Sequence, residues 1–111
     1  MTTRNVDRAE WSHYLDRISK LSEGRQVRIE VDAKSIGSQV EAEWAALTGL
    51  TYDPKDDLVD VANGALDHMI RKPRSIAARE EQGRIESIEI VDSDGAKHIV
   101  QFRDPPTLPA S

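Results

Sequence analysis

Cysteine is absent from this chain of 111 residues. That excludes disulfide staples, thiolate nucleophiles and Cys-based zinc sites, and it suits a reducing cytoplasm. Aromatic residues are scarce at 5 %, too few for a platform on which unpaired bases stack. No apolar run approaches the roughly 18 residues of a membrane span, and "MTTRNVDRAEW" has none of the apolar core of a signal peptide. The reading is of a soluble, cytoplasmic protein with no membrane role. Several reaction signatures are also missing: no G-x-S-x-G elbow, no H-E-x-x-H pair, no Walker or dinucleotide glycine loop. Neither a cofactor nor a metal is expected.

Charge is plentiful at 32 %, with a net value of −5. An acidic total weakens non-specific attraction to nucleic acid, so nucleic acid is not an expected partner. The charge is uneven, however. Residues 53–60, "DPKDDLVD", are net acidic, whereas 61–84 carry Arg71, Lys72, Arg74, Arg79 and Arg84 against three acids.

The first element is helical. Trp11, Tyr14, Leu15, Ile18 and Leu21 recur at three- and four-residue steps and make one apolar stripe. Asp7 and Glu10 have capping-box spacing, and Gly24 stands where a helix end favours a left-handed residue. The spacing predicts a helix over about 8–22. After Gly24 the period becomes two. "RQVRIEVDA" places Val27, Ile29 and Val31 on one face.

"VEAEW" and "LTGLTYD" read as one bent strand, "YDPKDDL" as a turn, and "DLVDVANG" as a strand closed by Asn63–Gly64. "ALDHMI" follows, and Pro73 interrupts it before "SIAARE" resumes as an edge strand. "RIESIEIV" and "AKHIVQF" flank the turn "DSDG". The pattern predicts an α+β fold. An N-terminal helix packs on a five- to six-stranded antiparallel sheet, which could curl into a small barrel. One domain should span 1–104, with strands over about 26–103, followed by a Pro-rich tail at 105–111.

The stretches "GLTYDPKDDLVDVANGALDHMIRKP", "IVDSDG" and "DPPTLP", with the opening "EWSHYLDRISK" and "VRIEV", are similar to a family of short bacterial stand-alone proteins classed as a domain of unknown function. The resemblance runs over nearly the whole chain. It implies a bacterial source and a stand-alone domain, and it assigns no residue a role.

Two clusters carry potential chemistry. Asp67–His68 joins a carboxylate to an imidazole, but strand neighbours point to opposite faces. A catalytic His68 therefore needs an acid from another strand, and 53–60, with Asp57, is the nearest source. "IRKPRS" offers Arg71, Lys72 and Arg74, extended by Arg79, as a clasp for a phosphate or an acidic partner. The bland alternatives are a half-buried structural histidine and a solvated loop that guards a strand edge. His13, His68 and His98 lie on separate elements with no metal-ligand spacing. Trp44 fits the core, or an exposed patch that meets a partner.

The primary expectation is a non-enzymatic interaction or regulatory module that forms homo-oligomers or meets another protein. An anion or nucleic-acid binder using the basic loop is the alternative, and a small enzyme using His68 is the second alternative.

Overall fold

A computed structural model describes residues 2–64 and 66–107. The elements run β1 (Thr2–Asn5), a 3-10 turn (Arg8–Glu10), α1 (Trp11–Ser22), β2 (Gln26–Ala33), β3 (Gly37–Asp53), β4 (Leu58–Asn63), β5 (Leu66–Arg71), β6 (Pro73–Glu81), β7 (Arg84–Asp92) and β8 (Lys97–Phe102). The fold is α+β. Its antiparallel sheet has eight strands in the order β1-β6-β7-β8-β2-β3-β4-β5. Five or six strands were expected. The terminal strands β1 and β5 do not pair, so no barrel closes. Of the expected tail, residues 108–111 lie outside the described residues; Thr107 bridges to Arg84, and Pro106 accepts a bond from the Ile85 N–H.

The helical stripe buries Trp11, Leu15 and Ile18. The expected capping box does not form. Asp7 makes no side-chain cap bond; its carbonyl accepts from the Glu10 N–H at 2.8 Å instead, and that starts the 3-10 turn. Gly24 has φ +82° and donates its N–H to the Leu47 carbonyl. The Leu50 N–H donates to Ser19 Oγ at 3.1 Å. The helix and its C-terminal turn thus satisfy backbone groups of β3 that β4 does not reach.

β3 is the long bent strand expected from the sequence, and it joins two layers. Its first part pairs with β2 from Gly37↔Ala33 onward, and its second pairs with β4 from Leu47↔Asn63 to Asp53↔Leu58. The bend falls at Trp44, which has φ +54°. The left-handed backbone costs a bulky residue about 1 kcal/mol or more.

β6 is not an edge strand. β1 covers its outer side with the register Thr2↔Glu80 to Asn5↔Ala77. The inward faces of both layers meet the helix in one core that includes Ile29, Leu50, Val61, Ile70 and Ile88. Each such side chain contributes about 1.5–3 kcal/mol on burial.

Candidate functional site

His68 points inward from β5, on the side shared with buried Ile70. Its Nε2 lies 2.9 Å from His98 Nδ1, on β8, and the two rings are 5.1 Å apart. His98 Nε2 in turn lies 2.9 Å from Asp92 Oδ2, at the end of β7. Asp92 Oδ1 also accepts from the backbone N–H groups of Asp94 and Ala96. Burial pushes Asp92 up, but the His98 bond and the two backbone donors outweigh it and hold the carboxyl below its ordinary value.

An ionised carboxylate only accepts, so His98 Nε2–H donates to Asp92. With the His98 ring in its neutral form, its Nδ1 accepts from His68 Nε2–H. Among the described residues, His68 Nδ1 has no hydrogen-bond partner. Burial, then the neighbouring His98, lowers the His68 pKa, and Glu41 acts in the opposite sense.

One ring nitrogen of His68 meets His98, and the carboxylate reached through that ring is Asp92. The acids at 53–60 are not involved. Asp57 accepts from the Tyr52 hydroxyl at 2.8 Å and from Arg8 Nη1 at 3.4 Å, on a different part of the surface. His68 and Asp57 are not brought together. The notch beside His68, lined also by Glu41, Asn63 and Leu66, holds about 130 Å³. Among the described residues, no group of three or more His, Asp or Glu is placed to hold a metal ion.

The basic loop divides. Lys72 and Arg74 line a cleft of about 380 Å³ at the corner between β5 and β6, together with Arg8, Asp56, Asp57 and Ser93. The Lys72 N–H donates to the Asp57 carbonyl at 2.9 Å and pins the corner to the β3–β4 turn. Arg71 is exposed on β5 opposite Leu58 and does not line this cleft. Arg79 lies further along β6 opposite Ser87, beside Gln101 and Ile99. Arg8 went unread as a site residue. Its guanidinium sits 4.2 Å from the Trp11 ring centroid and donates to the Pro73 carbonyl at 3.0 Å.

Trp44 is half-buried rather than core, and the Arg103 guanidinium lies 5.4 Å from its ring centroid. It marks the end of an open strand edge. Residues 37–43 of β3 pair with β2 on one side, and among the described residues nothing pairs with the other. Val40 on this segment and Ile36 in the turn before it are 45 % and 52 % exposed, high for aliphatic side chains. Among the described residues, no helix is long and apolar enough to cross a membrane.

A family model described as a family of unknown function, DUF5335, matches residues 2–111. An uncharacterized protein of Aquifex aeolicus (strain VF5) is 39 % identical over 110 residues, covering 98 % of this chain and 99 % of that protein. No solved structure matches the chain.

Proposed function

We propose, for a chain that belongs to the DUF5335 family of unknown function, a non-enzymatic interaction module that self-associates through the open edge of β3. One observation carries the reading: residues 37–43 leave a backbone edge unpaired beside exposed Val40 and Ile36. Unpaired strand edges recruit further strands, and a two-fold axis is the simplest way for a chain to cover its own.

Antiparallel pairing about Val40 sets Val40 against its own copy, Gln39 against Glu41, and Gly37 against Glu43. No like charges stand opposite one another in that register. Just beyond the strand, the same axis brings Ile36 towards Trp44 of the partner subunit, and that gives Trp44 an interface role. The other edges are less suited. β1 is four residues long and carries Arg4 in an ion pair with Glu80, while the six-residue β5 also exposes Leu66 and Met69 but sets charged Asp67 and Arg71 between and beyond them.

Val40→Lys tests the reading. The side chain is exposed, so the fold should survive, yet the axis would set two ammonium groups face to face. Sedimentation velocity should show a wild-type dimer and a folded monomeric variant. A wild-type chain that stays monomeric at high concentration, or a variant as dimeric as wild type, rules out this edge.

A further inference from the structure

The cleft at the β5–β6 corner is a separate feature that pairing at the β3 edge does not use. Its cations come from three places in the chain. Arg8 precedes the helix, Lys72 forms the corner itself, and Arg74 opens β6. They are not equivalent. Arg8 already lies against Asp57 and donates to Pro73, so its charge is largely answered. Among the described residues, Lys72 and Arg74 have no carboxylate within ion-pair distance. Among the described residues, Asp56 is the lining acid without a cationic partner, so the cleft keeps a positive excess in a chain of net charge −5.

The backbone presents these groups at a cost. Lys72 has φ +51° immediately before Pro73, and Asp57, whose carbonyl accepts the Lys72 N–H, has φ +50°. Glycine would take either conformation more easily, so the corner holds a long cationic side chain in a place where sterics disfavour it. Arg74 reaches over the β7–β8 turn, where its Nη2 lies 3.8 Å from the position a Cβ would take on Gly95. Ser93, in that same turn, also lines the cleft.

We infer that this cleft binds the phosphoryl group of a phosphate monoester, with Lys72, Arg74 and Ser93 as its direct donors and Arg8 paired with Asp57 at its wall. A planar guanidinium fork, a compact ammonium and a hydroxyl together suit a tetrahedral oxyanion better than a flat carboxylate. The volume of about 380 Å³ accommodates the ester group as well as the phosphoryl head.

The test is an amide NMR titration of the full chain with phenyl phosphate, with inorganic phosphate, and with chloride at matched ionic strength. Saturable shifts at Lys72, Arg74 and Ser93 with the ester, weakened roughly tenfold or more in Arg74→Gln, would support the inference. Tighter binding of the ester than of inorganic phosphate completes the support for a monoester. The inference is overturned if the shifts do not saturate, if chloride reproduces them, if Arg74→Gln leaves them unchanged, or if inorganic phosphate binds as tightly as the ester.

Discussion

Replacing His98 with leucine removes the middle member of the chain that ties β5 to β8 and β7. His98 is 7 % exposed, so the change exchanges a buried polar ring for a buried apolar side chain. The bond into Asp92 is charge-assisted and worth about 1.5–3 kcal/mol, and the bond from His68 about 1 kcal/mol. Asp92 keeps its two backbone donors, so its charge is not left bare. The added apolar burial offsets part of the loss. A net cost of about 2 kcal/mol follows, which lowers Tm by about 8 °C in a domain of this size.

The same chain sets a pH dependence. His68 resists protonation in the folded protein, chiefly through burial. As pH falls, the unfolded chain therefore takes up the proton first. The stability this leaves in place is complete above the unfolded histidine value near 6.5, and it declines below that towards the lower folded value. One proton gives at most about 1.4 kcal/mol per pH unit, and a half-exposed ring gives less. After burial, His98 on β8 lowers the His68 value and Glu41 on β3 acts against it, while Asp92 on β7 meets His98. Asp92, held below its ordinary value, adds a second loss as pH falls from about 3.9 through its folded value.

Urea melts of wild type, His68→Leu, His98→Leu and the double variant between about pH 8 and 5 read both effects. The two histidines should show a coupling of at least about 0.5 kcal/mol, and His68→Leu should flatten the slope below about pH 6.5. Additive losses together with an unchanged slope would refute the hydrogen-bonded chain.

Two further substitutions probe groups the fold leaves unsatisfied or strained. Among the described residues, the Tyr14 hydroxyl is buried without a partner, and burial, with Glu80 second, pushes its pKa to about 12. Tyr14→Phe should therefore raise stability by about 0.5–1 kcal/mol in a calorimetric scan, and a loss would mean that the hydroxyl is bonded in solution. Gln82 has φ +53° beside Gly83 at φ +75°, the pattern of a tight hairpin. Gln82→Asn should gain about 0.5 kcal/mol in urea, and no gain would show that the turn is not strained there.

The reach of the sequence follows from what each signal encodes. Helix α1 and strand β2 were legible because their buried residues repeat at the period of their own element. The bent β3 was legible as well. β1 was not: all four of its residues are exposed, and only pairing with β6 makes it a strand. That is also why β6 was expected at an edge. Trp44 was open between core and patch, because alternation presumes an unbroken strand and the positive φ there leaves no sequence signal.

The pairing of His68 with His98 left no local trace. The two lie 30 residues apart on strands that are not neighbours in the sheet. Asp92 read as a turn residue, and it is one, yet the same carboxylate also receives His98. The basic loop was seen as a group, but a strand rises about 3.3 Å per residue, and five steps carry Arg79 about 16 Å from Arg74. Arg8 joined the cleft only through the fold.

The proposal that the β3 edge pairs with its own copy admits one direct measurement. Because the chain has no cysteine, Val40→Cys introduces a single thiol at the predicted axis. Directly opposed residues in an antiparallel pair have Cα atoms about 4.5–5.5 Å apart, within disulfide range. Mild oxidation of the dilute protein should give a covalent dimer, while Lys55→Cys, in the distant β3–β4 turn, should stay monomeric. A Val40→Cys chain that crosslinks no faster than Lys55→Cys would contradict the account.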